Sequence, residues 1–239
     1  DPACGSGHFL LAAARRLADE VAKLRAPGGA PSQTDYRHAL RDVVSRCIYG
    51  VDKNPMAIAL AKTALWLEAY TPDRPLSFLD HHLQVGDALL GVLDSKVLEN
   101  GIPDDAYAVL SGDDKEVASA LKKQNKADLK SWKAIAAGDL FTKTGLASQA
   151  NAVEHLADDS LAGIEAKRAA WAQAEDEARH STLARLADTY VAAFLAPKLR
   201  QHAARIPLSG YLWGLINGEQ SKPEVDNAAS DICRAHGVF

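Results

Sequence analysis

Asp1-Pro2-Ala3-Cys4-Gly5-Ser6-Gly7-His8-Phe9-Leu10 sets two glycines either side of one serine and starts an apolar helical pattern directly behind them. Glycine lets the backbone turn tightly and lets a ligand approach main-chain atoms that a Cβ would block. The helix that follows opens with unpaired N–H groups and a positive dipole end, so a polar ligand can sit there. A dinucleotide-binding Gly-x-Gly-x-x-Gly would place its third glycine at position 10, where Leu10 stands. That glycine permits close helix–strand packing around a pyrophosphate, so its absence speaks against a dehydrogenase.

Outward from the turn, Phe9, Leu10, Ala13, Leu17, Val21 and Leu24 recur at helical spacing and predict a first helix over 9–23. Pro27-Gly28-Gly29-Ala30-Pro31-Ser32 breaks it, and a second helix is expected over 35–46. Cys47-Ile48-Tyr49-Gly50-Val51-Asp52 reads as a buried strand ending on a carboxylate. Asn54-Pro55 opens another helix, with proline where its missing N–H costs little, and Met56, Ala59, Leu60, Thr63, Leu67 and Tyr70 share one of its faces. Leu83-Gln84-Val85-Gly86-Asp87 is a second strand, again ending on a carboxylate. The order helix, helix, strand, helix, strand points to an open parallel α/β sheet. Ligands of such sheets bind beyond the carboxyl ends of the strands, the edge where Asp1, Asp52 and Asp87 converge.

The opening decapeptide resembles motif I of S-adenosylmethionine-dependent amino-methyltransferases of DNA, Asp-Pro-Ala-Cys-Gly-Ser-Gly-x-Phe-Leu, at every fixed position. Asp52-Lys53-Asn54-Pro55-Met56-Ala57 is similar to the same family's Asp-x-Asn-Pro-x-Ala. The resemblance covers residue 1 to about residue 93. It implies a partial Rossmann-like methyltransferase core over 1–97 that holds S-adenosyl-L-methionine through Asp1, Ala3, Gly5, Gly7, Phe9, Asp52, Asn54, Asp87 and Ala88. Asp1 would face the methionine ammonium, Asp52 the ribose hydroxyls and Asp87 the adenine amino group. Leu10 and Pro55 could add apolar walls. From the residues alone, Asp52 also reads as a helix cap and Asp87 as a turn aspartate.

The family's catalytic Asn/Asp-Pro-Pro-aromatic motif, which holds the target amine of a flipped base, is absent. Asn54-Pro55 runs on into Met56-Ala57, and the one Asp-Pro is Asp1-Pro2. No catalytic residue is therefore assigned. The sequence starts inside a motif without Met and reads as a fragment. Its parent is expected to be an adenine-N6 DNA methyltransferase of a restriction–modification or phage-defence system. The fragment alone is expected to be inactive, and its DNA contacts to lie mostly in other parts of the parent.

Residues 98–239 read as a mostly α-helical insertion, with helices expected over 114–137, 158–180 and 181–196; Ile206 to Gly218 is apolar and left unassigned. Lys122, Lys126, Lys130 and Lys133 form a basic stripe that could meet phosphates or simply be a solvated face. The net charge of −4 does not mark a nucleic-acid surface. Three scattered cysteines and no long apolar run predict a cytoplasmic protein without disulfides or membrane spans. His8 and the pair His81-His82 lack a ligand pattern, and no metal is expected. Two alternatives stay open: a methyltransferase acting on RNA or protein glutamine, and a non-catalytic helical interaction module with a degenerate nucleotide-binding half.

Overall fold

The computed structural model describes residues 1–26, 28–72, 74–131 and 146–238. In chain order they form α1 (His8–Arg25), α2 (Gln33–Arg46), β1 (Gly50–Asp52), α3 (Pro55–Glu68), β2 (Leu83–Val85) and the short α4 (Lys96–Glu99). A 3-10 turn (Asp104–Tyr107) precedes α5 (Lys115–Ser131). Then come α6 (Leu146–Glu154), α7 (Leu161–Arg179), α8 (Thr182–Leu195), a second 3-10 turn (Ala203–Arg205), α9 (Ser209–Ile216) and α10 (Pro223–His236). Among the described residues the fold is mostly helical with one two-stranded parallel sheet, a partial α/β arrangement.

The chain divides into two compact units. The first joins residues 1–88 to residues 148–175. Within it β1 and β2 pair in parallel, Gly50 opposite Leu83 and Asp52 opposite Val85, with α3 as the crossover that parallel strands require. Both strands are shorter than the sequence predicts. Cys47 caps α2, its N–H bonded to the Val43 carbonyl, so the chain leaves the helix there and joins the sheet only at Gly50. Beside β1 on its other edge lies Asp1, which donates to the Tyr49 carbonyl and accepts from the Val51 N–H, both at 2.9 Å, in the pattern of a parallel neighbour.

The helices pack through small residues. α1 buries Leu10, Ala14, Ala18 and Ala22, a stripe at four-residue spacing, against Ala39, Leu40, Val43 and Val44 of α2. Here the face differs from the expected one, because alanine allows the backbones to approach where leucine would hold them apart. Phe9, Leu17 and Leu24 point outward. On α3 the buried face is Ile58, Ala61 and Leu65, whereas Met56, Leu60 and Leu67 are exposed, as is Tyr70 just beyond the end of the helix.

The second unit comprises residues 89–147 and 176–238. Its core gathers Leu98, Ile102, Tyr107, Leu121, Leu186, Leu212 and Leu215, and α10 packs on α8 through Ala229, Cys233, Val191 and Ala192. A buried polar network ties the pieces. Asn125 donates to the Ile102 carbonyl at 2.7 Å and accepts from the Ser209 N–H at 2.8 Å. Tyr107 donates to the Pro207 carbonyl at 2.7 Å. With every polar atom of such a network paired, the core is held in one arrangement. A cleft of about 330 Å³ opens between α5 and α9, lined among others by Leu121, Asp128, Tyr211 and Glu219. The apolar run Ile206–Gly218, unassigned from sequence, contains α9, and α10 was not anticipated. The expected helix over 114–137 is seen to Ser131; Trp132, Lys133 and Ile135 lie outside the described residues. Among the described residues no helix is long and apolar enough to cross a membrane.

Candidate functional site

The turn before α1 is built from hydrogen bonds that its two glycines make possible. Gly7 (φ +86°) donates to the Cys4 carbonyl at 2.9 Å and stands as the N-cap of α1. A Cβ there would lie 3.0 Å from the Ala61 Cβ, so Gly7 also lets α1 sit against α3. Gly5 (φ +53°) is different: a Cβ on it would meet no atom within 4 Å, so the space outside this residue is open. The Cys4 N–H donates to the Val51 carbonyl at 2.9 Å, which hangs the turn on β1.

Asp52, half-buried at the tip of β1, completes the arrangement. Its Oδ2 accepts from the Gly5 N–H and its Oδ1 from the Asn54 N–H, both at 2.9 Å. These backbone donors, Asn54 first and then Gly5, hold its carboxyl below the ordinary 3.8. A carboxylate offers about four acceptor positions, so two bonds leave capacity for the hydroxyls of a ligand. The cap of α3 is Asn54, whose Oδ1 accepts from the Met56 N–H at 2.9 Å, rather than Asp52. That bond fixes the Asn54 side chain at the helix start and leaves its oxygen one further acceptor position.

The other candidates take up the following positions. Asp1 lies alongside β1 with its Oδ1 accepting from the Ala3 N–H at 3.0 Å, so Asp1 and Ala3 form one small turn. Phe9 is 80% exposed on the first turn of α1, available as a wall and absent from the core. Asp87 follows β2; the Gly86 N–H before it donates to the Asp52 carbonyl at 3.0 Å, which keeps the two strand tips adjacent. Asp87 also receives the Lys53 ammonium at 2.9 Å. Ala88 is half-buried next to it. Asp1, Gly5, Gly7 and Asp52 are thus one hydrogen-bonded group on the sheet edge, with Asp87 beside it. Lys53 was not among the residues singled out from sequence; its pairing with Asp87 depends on the register between β1 and β2, which no local pattern announces.

Two other features were weighed on sequence. Along the basic stripe, Lys122 is half-buried, Lys126 pairs with Asp104 at 3.1 Å, Lys130 is exposed and Lys133 lies outside the described residues. The histidines His81 and His82, just before β2, meet the Glu154 side chain at the end of α6: its Oε2 lies 3.2 Å from His81 Nε2 and 3.1 Å from His82 Nε2. Nothing in the sequence around either histidine announces a partner so far along the chain.

The glycine turn and the strand-tip carboxylate bonded to it lie at the carboxyl ends of a parallel pair, the edge of an open α/β sheet where ligands bind. One curated relative is an adenine-specific methyltransferase. Over 98 residues the chain is 36% identical to the adenine-specific methyltransferase PglX of Streptomyces coelicolor (strain ATCC BAA-471 / A3(2) / M145), an alignment covering 38% of this chain and 7% of the relative. The chain thus matches a small part of a much longer protein. No family model matches it, and no solved structure does.

Proposed function

We propose that the chain is the cofactor-holding part of a DNA adenine-N6 methyltransferase, with S-adenosyl-L-methionine as its ligand, in a restriction–modification or phage-defence setting. The observation that carries this is the Asp52 carboxylate, fixed by the Gly5 and Asn54 N–H groups at the open side of the glycine turn. The residues fit the group. Asp52 is ionised at neutral pH and accepts the ribose hydroxyls. Asp87 faces the adenine amine, and Asp1 supplies the negative charge that the methionine ammonium calls for. Gly5 leaves its main chain uncovered, and exposed Phe9 closes over the apolar part of the ligand. Bound there, the ligand offers an electrophilic methyl group, and the role of this chain is to hold it in a fixed orientation.

The amine-holding Asn-Pro-Pro-aromatic motif is not in this sequence, so methylation of DNA is assigned to the parent protein and cofactor binding to this part. Calorimetric titration of the chain with S-adenosyl-L-methionine tests the reading. Binding is expected, with affinity reduced about tenfold or more in Asp52→Ala, since a hydrogen bond to a charged group contributes roughly 1.5–3 kcal/mol. A chain that binds no cofactor, or binds it equally well as Asp52→Ala, sinks the proposal.

A further inference from the structure

His81, His82 and Glu154 play no part in the cofactor edge, yet they converge in a way that simple packing does not explain. The two imidazoles are almost fully buried, with side-chain exposures of 5% and 0%, and both aim Nε2 at the same Glu154 oxygen. At 3.2 Å, His81 Nε2 is close enough for a hydrogen bond to that oxygen, but it is not aligned for one, and neither nitrogen of the ring has a hydrogen-bond partner. A buried polar group left unpaired is costly, so such a group asks for another occupant.

We propose that His81, His82 and Glu154 bind a divalent first-row transition ion, zinc foremost, which ties the end of α6 to the lead-in of β2. The contacts of 3.1 and 3.2 Å to Glu154 match two edges of a coordination polyhedron, and the three ligand atoms all lie within 4.8 Å of one another. Ligands about 2.0–2.1 Å from a tetrahedral zinc stand about 3.3 Å from each other. Two imidazoles and one carboxylate are a donor set that suits zinc, with a fourth position left for water. Glu154, with 27% of its side chain exposed, and Tyr49, 48% exposed, open one side of the cluster to solvent and give the ion a way in. Aromatic neighbours fix the rings in place: Tyr49 lies 4.0 Å from His82 between centroids, and Phe78 stacks on His81 at 5.3 Å. Trp171 of α7 flanks His81 at 5.9 Å. Such orientation by surrounding groups is what metal-binding histidines depend on.

One group opposes the ion. Lys167 is buried, and its ammonium lies 3.5 Å from the Glu154 carbonyl, where it repels a second cation and competes for the carboxylate. The site should therefore bind more tightly in Lys167→Met.

The test uses the full chain, stripped with a chelator and titrated with zinc chloride, then with cobalt chloride to read geometry from visible absorption. One ion per chain is expected, with intense cobalt bands of a four-coordinate site and a raised thermal midpoint, since an ion that binds the folded state stabilises it. His81→Ala and Glu154→Gln should each weaken binding about tenfold or more. Glu154→Gln keeps the side-chain shape and covers the case in which His81→Ala fails to fold. Absence of stoichiometric binding overturns the proposal. Zinc binding undiminished in Glu154→Gln overturns it as well, because the ion would then sit elsewhere.

Discussion

Gly5 and Gly7 are two residues apart and both left-handed, but they do different work. At Gly7 a side chain meets both a strained φ of +86° and the Ala61 Cβ at 3.0 Å. Gly7→Ala should cost at least the roughly 1–2 kcal/mol of a left-handed L-residue, and more from the forced separation of α1 and α3. Gly5→Ala carries similar strain but meets nothing, so its added methyl instead fills the space where the proposed ligand lies. Urea unfolding should show the larger stability loss in Gly7→Ala, and calorimetry the larger affinity loss, per unit of stability lost, in Gly5→Ala. The reverse order would mean that the open side of the turn is not the ligand side. This much of the site was legible in the sequence, because a glycine turn and strand-tip acids are local patterns. The Lys53–Asp87 pair and the approach of Glu154 to the histidines were not, since they depend on register between segments far apart in the chain.

At the scale of the element, hydrophobic periodicity located α1, α2, α3, α7 and α8 but misjudged which face of α1 is buried. Ranking residues by hydrophobicity selects Phe9, Leu17 and Leu24; packing against α2 selects Ala14, Ala18 and Ala22, because short side chains win where two helices come close. Ala18→Leu should therefore destabilise the chain by about 1–3 kcal/mol through overpacking. Leu17→Ala, on the outward side, should stay within about 0.5 kcal/mol, and chemical denaturation separates the two. α10 went unread although Pro223 opens it, Glu224 and Asp226 fill its first turn and Gly237 ends it, signals as good as those of α3. α2 carries a capping box: the Ser32 hydroxyl accepts from the Asp35 N–H, and the Asp35 carboxylate accepts from Ser32 in return. Ser32, through its hydroxyl and then its N–H, holds the Asp35 carboxyl below its ordinary 3.8. The folded value lies under the unfolded one, so the stabilisation is present above pH 3.8 and is lost as pH falls through the folded value. Ser32→Ala should lower stability by about 1 kcal/mol at neutral pH. Between about pH 5 and pH 2 it should also lose less than the wild type does, as thermal melts across that range would show.

For the whole molecule, the division into units follows contacts rather than chain order. Residues 148–175 group with residues 1–88, although 59 residues of sequence lie between them in the second unit. The reason is the set of buried groups the later segment satisfies. Arg41, 3% exposed, donates to the Asp158 carbonyl at 3.0 Å, and burial lowers the affinity of its guanidinium for a proton, so it depends on that acceptor. His82 meets Glu154, and His81 lies against Trp171. Val153 and Ile164 add buried apolar surface. A chain cut after residue 97, at the end of the core expected from sequence, would keep the glycine turn and both strands and lose every one of these partners. Removing the segment takes away the hydrogen bonds to Arg41 and His82 together with the apolar burial of Val153 and Ile164, a loss of several kcal/mol against the roughly 5–15 kcal/mol that holds a whole domain folded. The truncated chain should accordingly show no cooperative thermal transition by circular dichroism, whereas the full chain should melt cooperatively. A sharp transition in residues 1–97, at a midpoint near that of the full chain, would show that residues 148–175 are not needed to fold the rest of the first unit.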